Sequence, residues 1–91
     1  MKMKVCPSSK TITFIPDKEK TIDLEKAKQL MIEEGGVLLA EKKGMVVFLK
    51  VGDCGYDVRI TIMKNGKVLM KGVPKGSEKE YEKLAEKLLK L

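Results

Sequence analysis

Tyr56-Asp57-Val58-Arg59-Ile60-Thr61-Ile62-Met63-Lys64, then Asn65-Gly66, then Lys67-Val68-Leu69-Met70-Lys71-Gly72-Val73, is the stretch that decides the fold. Val58, Ile60 and Ile62 fall on one side of an extended chain, and Arg59, Thr61 and Met63 fall on the other. That is the period of a strand with one buried face. Asn65-Gly66 is the strongest short hairpin signal in the chain. Two residues that tolerate positive φ suit a type I′ turn, and Lys67–Val73 then returns as the partner strand.

Working outward, Met45–Val51 reads as a strand, and Glu41-Lys42-Lys43-Gly44 as the turn joining it to a short apolar strand, Val37–Ala40. Before these lies a helix over Thr21–Glu34. Asp23 or Thr21 is suited to cap it, Leu24, Ala27, Leu30 and Met31 line one stripe, and Gly35-Gly36 ends it. Lys10–Ile15 reads as a strand closed by Pro16-Asp17-Lys18. At the other end, Ser77 and Glu80 have the spacing of a capping box. Tyr81, Leu84, Ala85, Leu88 and Leu89 then repeat at helical spacing. The expected order is β-α-β-β-β-β-α, one α+β domain over residues 1–91. Its antiparallel sheet should carry both one-striped helices on a single face, leaving the other face open.

Composition narrows the chemistry. The 91 residues allow one thin core, built from aliphatics and six methionines because aromatics are only 4% of the chain. There is no histidine, which removes His-based acid–base catalysis and His metal ligation. Two cysteines, Cys6 and Cys54, are too few for a zinc site of their own. No GxxxxGK[ST] or GxGxxG phosphate loop occurs. No apolar run reaches spanning length, and the first residues lack the apolar segment of a secretory signal, so the expectation is a cytosolic protein with no cofactor and no metal. Abundant Lys and Glu with a single Asn and a single Gln is the composition of a thermophile's protein.

Net charge is +6, and none of it resides in the helices: residues 22–34 are net acidic and 77–91 are balanced. The excess maps to strands and turns, where Lys50, Arg59, Lys67 and Lys71 are the candidate partner-binding or nucleic-acid-binding residues. Lysines on exposed strands also serve simply to keep sheet edges apart. Cys6, with Lys4 and Lys10 near it in sequence, is the one candidate reactive thiol. A Cys6–Cys54 bridge is the alternative to two thiols. Asp53 and Asp57 read as turn carboxylates rather than an acid–base pair.

Residues Asp23–Leu91 resemble the small C-terminal domain that follows the adenylation domain in ThiF/MoeB-type, ubiquitin-activating-like enzymes. The matching features are Asp23-Leu24-Glu25 before a helix, Gly55-Tyr56-Asp57-Val58-Arg59-Ile60-Thr61-Ile62, and Asn65-Gly66-Lys67-Val68-Leu69-Met70-Lys71-Gly72 before a final helix. Adenylation belongs to the preceding domain of those enzymes and is not implied. What the resemblance implies is an accessory role, docking a sulfur carrier or its enzyme. More loosely, Asn65–Leu69 and Gly72–Leu91 are similar to the end of one repeat of the TATA-box-binding protein. The expectation is therefore a non-enzymatic protein-interaction domain. The alternative is a nucleic-acid-binding module acting through a basic open sheet face as a homodimer. A third reading is an enzyme with Cys6 as nucleophile.

Overall fold

The structure, a computed structural model, describes residues 2–6, 10–18, 20–51 and 57–90. The strands are β1 (Lys2–Cys6), β2 (Thr11–Ile15), β3 (Val37–Lys42), β4 (Met45–Val51), β5 (Asp57–Met63) and β6 (Val68–Lys71). The helices are α1 (Leu24–Glu33) and α2 (Glu78–Leu89). All strands join one antiparallel sheet in the order β1-β2-β6-β5-β4-β3. β3 to β6 form the expected meander. α1 carries the chain from β2 to the far edge, and β2 then closes against β6, the last strand made.

The alternation read in β5 sets the layers. Val58, Ile60 and Ile62 are fully buried, and the register partners of Ile60 and Ile62, namely Phe48, Met70, Val46 and Val68, are buried with them. Ile12 and Phe14 of β2 continue that face. Ala27 and Met31 of α1 and Tyr81, Leu84, Ala85 and Leu88 of α2 enter the same cluster, so both helices cover one side of the sheet. Lys87 Nζ meets Glu34 Oε1 at 3.1 Å and ties α2 to the end of α1.

The caps explain where α1 begins and ends. Asp23 Oδ1 accepts the Glu25 N–H at 3.0 Å. At the other end the Gly36 N–H donates to the Met31 carbonyl at 2.8 Å and the Gly35 N–H to the Ile32 carbonyl at 3.1 Å. This is a Schellman closure, and Gly35 supplies its left-handed residue with φ +86°.

Three expectations need correction. Lys2–Cys6, outside the expected elements, form a first strand, giving β-β-α-β-β-β-β-α. The capping box of α2 is not made. Ser77 has φ −104° and ψ 5°, not the extended backbone of an N-cap, and its hydroxyl makes no cap bond. Glu78 Oε2 instead accepts the Gly76 N–H at 2.8 Å. The Asn65-Gly66 hairpin is not a type I′ turn, because Gly66 has positive φ and Asn65 does not. The Gly66 N–H donates to the Met63 carbonyl at 3.0 Å and the Met63 N–H to the Lys67 carbonyl at 2.9 Å. Lys64-Asn65-Gly66 is thus a three-residue loop with its glycine at the left-handed position. Asn65 contributes through its side chain, accepting the Lys67 N–H at 3.1 Å.

Candidate functional site

Residues paired across neighbouring strands project from the same side of a sheet, so the register draws the uncovered face row by row. One row runs Lys4, Thr13, Leu69, Thr61, Val47, Ala40 from β1 to β3. The next runs Cys6, Thr11, Lys71, Arg59, Leu49, Val37. On the other side of the first, Lys2 and Ile15 lie toward one edge and Met63, Met45 and Lys42 toward the other. The middle of the face is therefore aliphatic and threonine-rich, with Val47, Leu49, Thr61, Met63 and Leu69 all half-buried. Cations stand around and among them: Lys2, Lys4, Lys42, Arg59 and Lys71, against the single carboxylate of Asp57 among the described residues of these strand rows. The described aromatics Phe14, Phe48 and Tyr81 are all buried on the helix side.

Of the four basic residues singled out from sequence, two come together. Arg59 and Lys71 are direct register partners, and both are exposed on the open face. Lys67 sits beyond them near the hairpin, where it lines a cleft of about 580 Å³ with Lys18, Lys20 and Asn65. Lys50 belongs to the opposite face. It pairs with buried Val58, and its ammonium lies 5.5 Å from the centre of the Tyr81 ring. That contact joins β4 to α2 as a cation–π interaction and takes Lys50 out of the basic surface.

Cys6 is exposed at the end of β1 opposite Thr11, in the same row as Lys71 and Arg59. It also borders a cleft of about 520 Å³ lined by Lys10, Ile12, Val73, Pro74, Lys75 and Glu78. Cys54 and Asp53 lie outside the described residues, as do Pro7, Ser8 and Ser9 beside Cys6. Among the described residues no group of three His, Cys, Asp or Glu side chains is placed to hold a metal ion. No buried side-chain nitrogen or oxygen among them lacks a hydrogen bond. Among the described residues no helix is long and apolar enough to cross a membrane.

Sequence reasoning missed Lys2, Lys4 and Lys42 as members of this face, and the aliphatic centre with them. The alternation in Lys2-Met3-Lys4-Val5 was a period-two signal for β1. Parity with Val46 and Phe48 placed Lys50 on the buried side. Membership of the face as a whole needs the strand order, which local pattern does not contain.

Set beside known protein families, characterised proteins and solved structures, the chain matches none.

Proposed function

We propose that this chain is a non-enzymatic protein-interaction domain. Its open sheet face receives a protein segment with an apolar stripe and acidic flanks. The observation that carries this reading is the layout of that face: Val47, Leu49, Met63 and Leu69 at the centre, with Lys2, Lys4, Arg59, Lys71 and Lys42 around them. An aliphatic centre favours burial of another apolar surface, at about 25 cal/mol per Å² removed from water. The cations select a partner of opposite charge and speed its approach. If the resemblance to the domain after ThiF/MoeB-type adenylation domains holds, that partner is a sulfur carrier or its enzyme.

A second reading, nucleic-acid binding, is favoured by the side-by-side placement of Arg59 and Lys71, a spacing that suits a phosphate backbone. The looser likeness to a repeat of the TATA-box-binding protein points the same way. Against it stands the position of the aromatics. Base stacking and base-step wedging use exposed aromatic or bulky apolar side chains, and Phe14 and Phe48 are fully buried under the helices.

Affinity capture from the source cell, with and without nuclease, separates the two. The protein reading expects a nuclease-resistant partner that is lost both with Leu69→Asp and with Arg59→Glu plus Lys71→Glu. It also expects cross-links to map to an acidic amphipathic segment of that partner. Capture that disappears on nuclease treatment would establish the second reading instead.

A further inference from the structure

The two edges of the sheet differ. β1, at one end, alternates Lys2 and Lys4 with Met3 and Val5, the charged decoration that discourages edge-to-edge pairing. β3, at the other end, begins Val37-Leu38-Leu39, exposed by 62%, 41% and 47%. Two further exposed apolar side chains flank it. Val51 lies on β4 beyond Leu49, the partner of Val37. Ile32 of α1 stands one helical turn after Lys28, whose Nζ reaches Glu41 Oε1 of β3 at 2.9 Å, so Ile32 is on the β3 side of its helix. Exposed apolar surface thus wraps around this edge, whose outer backbone groups face no further strand among the described residues.

We infer that this edge pairs with the same edge of a second copy, β3 antiparallel to β3 about a two-fold axis. The register follows from the bulge. Val37 and Leu38 pair with Leu49 and Phe48, but after the extra residue Leu39 the pairing resumes as Ala40 with Val47, Glu41 with Val46 and Lys42 with Met45. The bulge inverts the parity of the strand. Val37 and Lys42, five positions apart, therefore share the open face, and Leu38 and Glu41 share the helix face. In a regular strand they would not. A two-fold placed between Leu39 and Ala40 sets Val37 opposite Lys42 of the second copy and Leu38 opposite Glu41 of the second copy, with faces matched in both pairs. The bulge, normally a device against edge pairing, here selects one self-complementary register.

Charge supports the same occupant. Glu33 lies at the end of α1, where the helix dipole is already negative and the last turn holds no basic residue, beside Glu34, which Lys87 engages. Lys42 and Lys43 lie at the opposite end of β3. Antiparallel pairing brings the turn residue Lys43 of each copy toward the acidic helix end of the other, while Lys42 stands on the open face opposite Val37. The contact is isologous and closes at two chains rather than growing into a fibre. An edge ladder with this flank is small beside standard interfaces of about 1,200–2,000 Å², so the dissociation constant should be on the order of micromolar.

Sedimentation over a concentration series of the full chain tests this. The expected result is a shift from the chain mass of 10.2 kDa to about twice that. Val37→Lys and Leu39→Lys should each raise the dissociation constant by at least about tenfold, with unchanged circular dichroism and melting. Glu33→Lys alone, and Lys43→Glu alone, should each weaken the dimer. The two charge changes combined in one chain should restore it, which general surface damage would not do. A protein still monomeric at about millimolar concentration would overturn the inference. So would a dimer that survives the β3 substitutions and yields to Met3→Lys at the other edge or to Leu49→Lys on the open face.

Discussion

Arg59 and Lys71 stand directly opposite each other on β5 and β6, two cations in register on the face that no helix covers. Like charges in that relation destabilise a sheet, by up to about 1 kcal/mol. Lys71→Glu should therefore raise the melting temperature at low salt, by an amount corresponding to about 0.2–1 kcal/mol, and the gain should shrink as salt screens it. Arg59→Glu combined with Lys71→Glu restores a like-charged pair and should return stability toward wild type. Thermal melts of the four proteins at two salt concentrations complete the cycle. If Lys71→Glu melts lower than wild type at low salt, the two side chains do not interact as the register implies.

Leu88 is fully buried at the centre of the α2 stripe, in the cluster that includes Ile60 and Met70. Truncation to Ala should cost about 2–5 kcal/mol, read as a fall in the denaturation midpoint with unchanged slope. A midpoint that hardly moves would mean α2 does not close the core.

Gly66 has two reasons to be glycine. Its φ is +95°, and a Cβ would come within 2.9 Å of Pro16 Cγ, where the β5–β6 loop abuts the turn after β2. Gly66→Ala should cost roughly 1–3 kcal/mol. Asn65→Ala should cost less, since it removes one exposed hydrogen bond and no backbone strain. Equal losses from the two, in chemical denaturation, would be inconsistent with the three-residue loop.

Lys28 bonds Glu41 and, within its own helix, Glu25. These bonds hold its ammonium above the usual lysine value, the bond to Glu41 being the larger cause and that to Glu25 the next. A raised lysine pKa in the folded state adds stability below the unfolded value, about 10.4. That contribution is lost as pH climbs through the raised value. Wild type should therefore melt slightly above Lys28→Met at neutral pH, and the two should converge in strongly alkaline solution. A gap that widened with alkalinity would contradict the assignment.

Much of this fold is legible in the sequence because burial imposes periods. The alternation of Val58, Ile60 and Ile62, the stripe from Tyr81 to Leu89, and the Asp23 and Gly35-Gly36 punctuation of α1 each encode an element and its buried side. What could not be read depends on contacts distant in sequence. β1 is exposed at every residue, so its period-two Lys2-Met3-Lys4-Val5 pattern marks no buried face, and pairing with β2 is what makes it a strand. The return of β2 to β6 across the meander is a choice of topology, and the composition of the open face follows from it. Ser77 illustrates a different limit: its spacing to Glu80 suits a capping box, but the preceding turn sets a backbone in which the hydroxyl cannot cap.

The open face is most directly tested by a photo-reactive amino acid placed at position 61, in the middle of the row between Leu69 and Val47, with the exposed position 83 of α2 as control. On irradiation in the source cell, position 61 should cross-link to a protein through an acidic amphipathic segment. The adduct should be lost when Arg59 and Lys71 are both changed to Glu, and position 83 should give no such adduct. Adducts at position 61 to nucleic acid alone, or equal protein adducts from both positions, would contradict the account.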